Sequence, residues 1–347
     1  MADYFPYLRT RLFKIWQYYY CQIYFKNHNI TLNKAYYMDL VINWHITEAC
    51  NYKCFYCFAK WQQKDQREIL HSKQNIQQLM QEISLLPSIL NTKSGCSFTG
   101  VRLNLVGGET FLYKHQILDI IKAAKKYHFK LSAITNGSLL NDELIKIIAN
   151  EFSMIGFSID STHSESNLRI GRAIKNIPIE TDKIYAHIQK LRTINPKIDI
   201  KINSVINQFN KDEDLNDFIR KLSPSKWKVF KMLPVITNDY SINDSEFYAF
   251  LERHSDLEDI ISSENNDEMT HSYLMIDPLG RFFQNSSTSC GYDYSSEILI
   301  SGVSSALDEI KFDVSKFIKR SKLIPNLNLN TRSSPLINEW LSRAHLT

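Results

Sequence analysis

Three of the chain's six cysteines fall within eight residues, as Cys50, Cys54 and Cys57 of the stretch WHITEACNYKCFYCFAKW at 44–61. A C-x3-C-x2-C loop brings three thiolates to one place, and cysteine thiolates are the usual ligands of iron–sulfur clusters. Three ligands on a four-iron cube leave one iron open to a substrate or cofactor, whereas a fourth would close it. Two other readings stand beside this one, a zinc site and three unrelated buried thiols. A structural zinc site wants a fourth ligand and more often pairs C-x2-C knuckles. His45 could supply that ligand, but it sits inside a strand-like run. Both alternatives rank below the cluster. Cys96 and Cys290 are single and scattered, and read as structural or incidental.

Such a loop needs a scaffold, and the chain supplies one by alternation. VINWHIT (41–47) is strand-like and is followed by a helical pattern at 72–86 with Ser72 as its N-cap. Strands VRLNLV (101–106), KLSAIT (130–135), SMIGFSI (153–159), IDIKINSVI (198–206) and KWKVFKML (226–233) follow. The helical patterns near 115–127, 141–150, 181–195, 212–222 and 243–254 separate and follow them. Six β-α units fall short of the eight of a closed barrel, so the fold class is α/β with a partial, open (βα)6 barrel. The expected organisation is an N-terminal helical extension (1–40), the barrel (41–255) and a C-terminal α+β extension (256–347) over the site.

Composition bounds the rest. A net charge of +4 does not argue for direct nucleic-acid binding, and six cysteines in 347 residues are no disulfide framework. No run approaches the ~18 apolar residues of a membrane span, and no signal peptide is evident. The expectation is a soluble, cytoplasmic protein. Residues 4–25 place Phe5, Leu8, Leu12, Ile15, Trp16 and Tyr19 at helical spacing with basic residues between them. Peripheral membrane contact through that helix is possible on this pattern; a helix packed across the barrel is the preferred reading.

C-x3-C-x2-C after a first strand, with Tyr56 before the last cysteine, resembles the radical S-adenosylmethionine (SAM) superfamily. GGE (107–109), TNGS (135–138) and SIDS (158–161) end the next three strands, where barrel active sites assemble. CNYKCFYCF, KINSVINQFN, WKVFKML, FLERH, SYLMID and FIKR are similar, in the same order, to segments of the viperin family. The resemblance covers roughly 41–320. It implies a [4Fe–4S] cluster on the three cysteines. It places SAM against Tyr56, Phe58, Gly107, Gly108, Glu109, Asn136 and Ser158, with the glycines letting the backbone approach the ligand and Glu109 facing an ammonium. For a nucleoside triphosphate it implies Asn43, His45, Lys201, Asn203, Lys228 and Arg320, with Arg172 a weaker candidate.

The strand pattern agrees with part of this: Ile198, Ile200 and Ile202 alternate with Asp199, Lys201 and Asn203, so a polar set should face the lumen. The resemblance further implies abstraction of the ribose C4′ hydrogen by a 5′-deoxyadenosyl radical and loss of the 3′-hydroxyl as water. Addition of one electron and one proton then yields a 3′-deoxy-3′,4′-didehydro nucleotide, a terminator of RNA synthesis and so an antiviral product. Tyr273 matches a tyrosine proposed to give the last hydrogen, and a flavodoxin- or ferredoxin-type protein would supply electrons. Thr110 replaces a proline of the family, Glu48 a basic residue, and the tail after Arg320 diverges. Glu48 puts the choice among CTP, UTP and GTP in doubt. The competing functions are a radical enzyme acting on a peptide or other small molecule, and a catalytically silent cluster-bearing scaffold.

Overall fold

A computed structural model describes residues 38–59, 68–233, 237–264, 269–285 and 292–320. The expected helix at 4–25, Cys290 and the tail after Arg320 lie outside the described residues.

The strands in chain order are β1 (Met38–His45), β2 (Phe98–Val106), β3 (Lys130–Thr135), β4 (Met154–Ser158), β5 (Ala173–Ile174) and β6 (Ile177–Pro178). They continue as β7 (Asp199–Ile206), β8 (Lys226–Lys231), β9 (Ile261–Glu264), β10 (Leu274–Ile276), β11 (Arg281–Asn285) and β12 (Tyr292–Glu297). One sheet runs β12-β11-β10-β1-β2-β3-β4-β7-β8-β9, and β5 and β6 form a separate hairpin. From β10 through β9 every neighbouring pair is parallel, and β11 and β12 turn back antiparallel. The barrel of six β-α units is thus present, and the C-terminal residues widen its sheet at both edges. β9 extends the β8 side and β10 the β1 side, an extension that 255–347 did not advertise because its strands are only three to six residues long.

The core lies between this sheet and its helices. Along β1, Leu40, Ile42 and Trp44 are wholly buried in the apolar cluster, while Val41 and Asn43 between them are not. The first helix, Lys73–Ser94, presents Ile76, Leu79, Met80, Ile83, Leu86 and Leu90 to the same cluster. Ser72 caps it, its hydroxyl accepting from Asn75 N at 3.3 Å. The sequence pattern ends this helix at Leu86 because Pro87 follows; the structure carries it two further turns. Leu90, 4% exposed, anchors that extension, and its burial offsets the hydrogen bond that proline cannot make. Two elements next to the site escape sequence reading, the helix Ser164–Ile170 and the β5–β6 hairpin. Seven residues are too few to establish a helical period, and two-residue strands show no alternation.

If Leu90 secures the extension past Pro87, Leu90→Ala should destabilise the protein by about 2–4 kcal/mol. A urea unfolding midpoint would show this; a change within error would mean that the last turns contribute nothing.

Candidate active site

The cysteine loop leaves the C-terminal end of β1 and is gripped from two directions. On one side GGE packs against it: Gly108 N donates to Thr47 O at 2.7 Å and Glu109 N to Ala49 O at 2.9 Å. A Cβ on Gly108 would collide with the Ala49 carbonyl. The close approach that glycine permits here is to the protein's own backbone. On the other side Lys53 N donates to Gly171 O at 3.0 Å and Phe55 N to Ile170 O at 3.1 Å. Gly171 has φ of 88° at the end of the helix Ser164–Ile170, and a Cβ there would enter the Lys53 carbonyl.

Side chains complete the grip. Asn136 donates to Asn51 Oδ1 at 2.8 Å, and Asn51 donates to Ser138 Oγ at 2.9 Å. Glu109, almost wholly buried, accepts from Thr135 Oγ1 at 2.5 Å, Asn136 N at 2.8 Å and Phe111 N at 3.1 Å. Burial raises its pKa, and these three bonds oppose the shift. Glu109 therefore ties the end of β2 to the end of β3.

Cys50 is exposed, Cys57 half-buried and Cys54 buried, and all three are free thiols. Burial pushes the Cys54 thiol up to about 12, against the pull of the nearby Arg172 charge. A bound iron would replace that proton. Among the described residues no three His, Cys, Asp or Glu side chains converge on a single metal position. The donor set fits the cluster: three thiols on one loop, with a guanidinium beside the most buried of them.

Arg172 lies against the cluster loop: its Nη1 is 3.0 Å from Tyr56 OH, 3.2 Å from Asp160 Oδ2 and 3.9 Å from Cys54 Sγ. Its Nη2 donates to the Ser158 carbonyl, and Tyr56 OH donates to Asp160 in a short bond. Asp160 is 1% exposed, and a carboxylate so buried demands a cation. That requirement draws Arg172 under the cluster loop. Burial and then the Asp160 charge hold the Tyr56 phenol well above its usual range, so it remains a donor.

The lumen beyond is polar, as the strand alternation predicts. Asn104 of β2 donates to Asn43 Oδ1 at 2.8 Å and accepts from Ser132 Oγ at 2.9 Å. Asn203 is 8% exposed, and its Oδ1 has no protein partner. Burial, then the neighbouring Lys228 charge, pulls Lys201 well below the usual lysine range. Lys228 is 6% exposed; it pairs with Glu264 and lies 2.8 Å from Tyr273 OH, and Tyr273 also donates to Glu264. These three side chains link β8, β9 and the residue before β10 across the open side of the barrel. His45 is buried between the Phe58 ring (5.9 Å) and the Phe283 ring (5.1 Å), and burial lowers its pKa to about 3, leaving a neutral imidazole. Phe58 is 40% exposed at the rim. Arg320 ends the last described helix, Val314–Arg320.

Sequence reading missed Arg102, Asn104, Asp160 and Glu264. The first two carry the same alternation in VRLNLV that exposed Lys201 and Asn203 in IDIKINSVI. Asp160 lay within the noted SIDS motif. Glu264 had no local signal.

Fold and cysteine loop together define a class. Residues 44–222 match the Radical SAM superfamily, and the chain belongs to it. Solved members share the fold: one titled native anSMEcpe with bound AdoMet aligns with a TM-score of 0.57 at 14% identity, covering 80% of this chain and 81% of that one. Streptococcus suis SuiB bound to precursor peptide SuiA aligns at 0.54 and 15%, covering 86% and 69%. Closer relatives narrow the class. An S-adenosylmethionine-dependent nucleotide dehydratase of Psychrobacter lutiphocae is 52% identical over 85% of this chain and 98% of its own length. One of Pseudoalteromonas ulvae is 36% identical over 82% and 94%, and the RSAD2 enzyme of Oncorhynchus mykiss 30% over 80% and 78%. The chain is a member of the S-adenosylmethionine-dependent nucleotide dehydratase family. Its cofactors are a [4Fe–4S] cluster and SAM. No helix among the described residues is long and apolar enough to cross a membrane.

Gly171→Ala tests the grip on the loop. Iron and sulfide per chain after reconstitution should fall several-fold while far-ultraviolet circular dichroism stays unchanged; full iron content would show that the 170–172 turn is dispensable.

Proposed function

We propose that the protein dehydrates a nucleoside triphosphate, CTP, UTP or GTP, to its 3′-deoxy-3′,4′-didehydro form, with antiviral chain termination as the product's use. The observation that carries this reading is a group of cations on the strands: Lys201 on β7 feels the charges of Lys228, Lys226 and Arg102, at positions where a hydrophobic barrel would hold Val, Ile and Leu. When bound, the cluster and SAM supply a 5′-deoxyadenosyl radical. The protein's part is to hold the ribose against it and exclude other hydrogen donors.

Lys201, Lys228 and Arg320 are assigned to the triphosphate, and Asn43, His45 and Asn203 to the nucleoside. A neutral His45 suits hydrogen bonding rather than charge pairing. The unpartnered Asn203 Oδ1 leaves an acceptor for a ribose hydroxyl. Tyr273 is assigned the final hydrogen transfer, and its contacts with Lys228 and Glu264 support that role by fixing the phenol. Tyr56, Phe58, Gly107, Gly108, Glu109, Asn136 and Ser158 remain the SAM-side assignments, joined by Arg172. The segment after 255, which brings Glu264 and Tyr273 to the lumen, is read as the site's cover. A cytoplasmic location accompanies this reading.

The decisive assay is 5′-deoxyadenosine formation by the reconstituted, reduced enzyme with SAM and each nucleotide singly. One nucleotide should give a burst and a product lighter by one water. Equal slow cleavage with all four would overturn the reading.

The depressed pKa of Lys201 adds a second test. An anion favours the charged amine, so binding of the triphosphate should take up protons wherever free Lys201 is partly neutral. Affinity should then weaken as pH rises. Calorimetry in buffers of different ionisation enthalpy would measure the uptake, which Lys201→Met should abolish; an uptake unaltered in that variant would exclude Lys201 from the phosphate site.

A further inference from the structure

Glu264 is an acid among the cations assigned to the triphosphate. It ends β9, is 3% exposed, and its charge reaches Lys201 together with those of Lys228, Lys226 and Arg102. A carboxylate in that company weakens the hold of the cations on a polyanion, because like charges repel strongly where water is scarce. Neutralising the buried Lys228 accounts for one of its oxygens, Oε1, which accepts from Nζ. The other oxygen has a different partner.

Oε2 accepts the hydroxyl proton of Tyr273 in a short bond, and the phenol oxygen itself accepts from Lys228 Nζ at 2.8 Å. A carboxylate thus grips the phenol at its proton and an ammonium grips it at its oxygen. The same ammonium lies 5.3 Å from the centre of the Tyr273 ring. The backbone is fixed as well: Gln284, 2% exposed, donates from Nε2 to the Tyr273 carbonyl at 2.6 Å. A phenol that loses an electron becomes a strong acid, so it is oxidised readily only where a base already holds its proton. A carboxylate in direct hydrogen-bond contact is such a base.

We propose that Glu264 is the positioning residue of Tyr273 and takes its phenol proton when the tyrosine gives up an electron in the last step of the dehydration. The inference rests on the assignment of Tyr273 to that step of the nucleotide reaction. Loss of the 3′-hydroxyl as water, with one proton from solvent, leaves the sugar one electron short of its 3′,4′ double bond. Tyr273 supplies that electron, and its proton passes to Glu264. The hydrogen assigned to Tyr273 is thereby divided, the electron going to the sugar and the proton to the carboxylate. The tyrosine is left a neutral phenoxyl and Glu264 a carboxylic acid. One electron from a flavodoxin-type protein or dithionite, with the same proton returning, restores both.

The test uses the full-length reconstituted holoprotein, reduced and then freed of excess reductant, with SAM and the nucleotide that gives the burst. It reads the ratio of dehydrated nucleotide to 5′-deoxyadenosine in a single turnover. Glu264→Gln keeps the shape of the side chain but cannot take a proton. Its ratio should fall about tenfold while 5′-deoxyadenosine is still formed. Nucleotide affinity, measured by calorimetry, should hold or tighten, because an acid has left the cations; a purely structural role would weaken it. Glu264→Asp preserves the charge opposite Lys228, guards against misfolding, and should lower the ratio by a smaller factor. A wild-type ratio in both variants would overturn the proposal. So would an equal fall of both products, which would mark Glu264 as a brace between strands. A wild-type protein that makes no dehydrated nucleotide would refute the nucleotide reading, and this role with it, before any variant is compared.

Discussion

The site hangs on the backbone grip around residues 47–55. A loop with three thiols has no fold of its own, and iron can be held only if the loop is shaped before it arrives. The GGE turn holds one flank through Gly108 N and Glu109 N, and the 170–172 turn holds the other through the Gly171 and Ile170 carbonyls. Both depend on backbones meeting at distances that exclude a Cβ. The sheet matters here because β1, β2 and β4 are pinned in register, so their C-terminal ends deliver the gripping turns to the same place.

A second constraint is electrostatic. Two carboxylates, Asp160 and Glu264, are buried almost completely, and each has recruited a cation and a tyrosine: Arg172 with Tyr56, and Lys228 with Tyr273. The first trio braces the cluster loop. The second joins the paired strands β8 and β9 to the residue before β10, which lies on the other side of the sheet. Breaking such a pair leaves an uncompensated buried charge and is costlier than the pair is stabilising. Charge demand thus builds both ends of the site. Lys201, by contrast, is pulled well below the usual lysine range by burial first and then by the charge of Lys228.

Much of this was legible in the amino-acid order. Spacing exposed the cysteine loop, alternation exposed the inward Lys201 and Asn203, and the β-α rhythm exposed the barrel, because each is a local pattern imposed by ligand geometry, strand pleat or helical period. The alternation in VRLNLV was equally legible and marks Arg102 and Asn104. What was hidden is non-local. Arg172 reads as a solvated arginine until Asp160, twelve residues earlier, is seen buried beside it. Glu264 reads as a surface acid until the sheet's widening brings β9 to β8. The need for glycine at 108 shows only when the backbone of residues 48–49 is seen packed against it.

The sequence by itself determined the chemistry available: three thiols on one loop, glycine- and carboxylate-bearing motifs at strand ends, and inward polar residues. Only the tertiary structure decided how those groups are held. Ligand type and spacing are properties of neighbours along the chain. Burial, charge pairing and the close approach of backbones are properties of segments that meet only after the chain has folded.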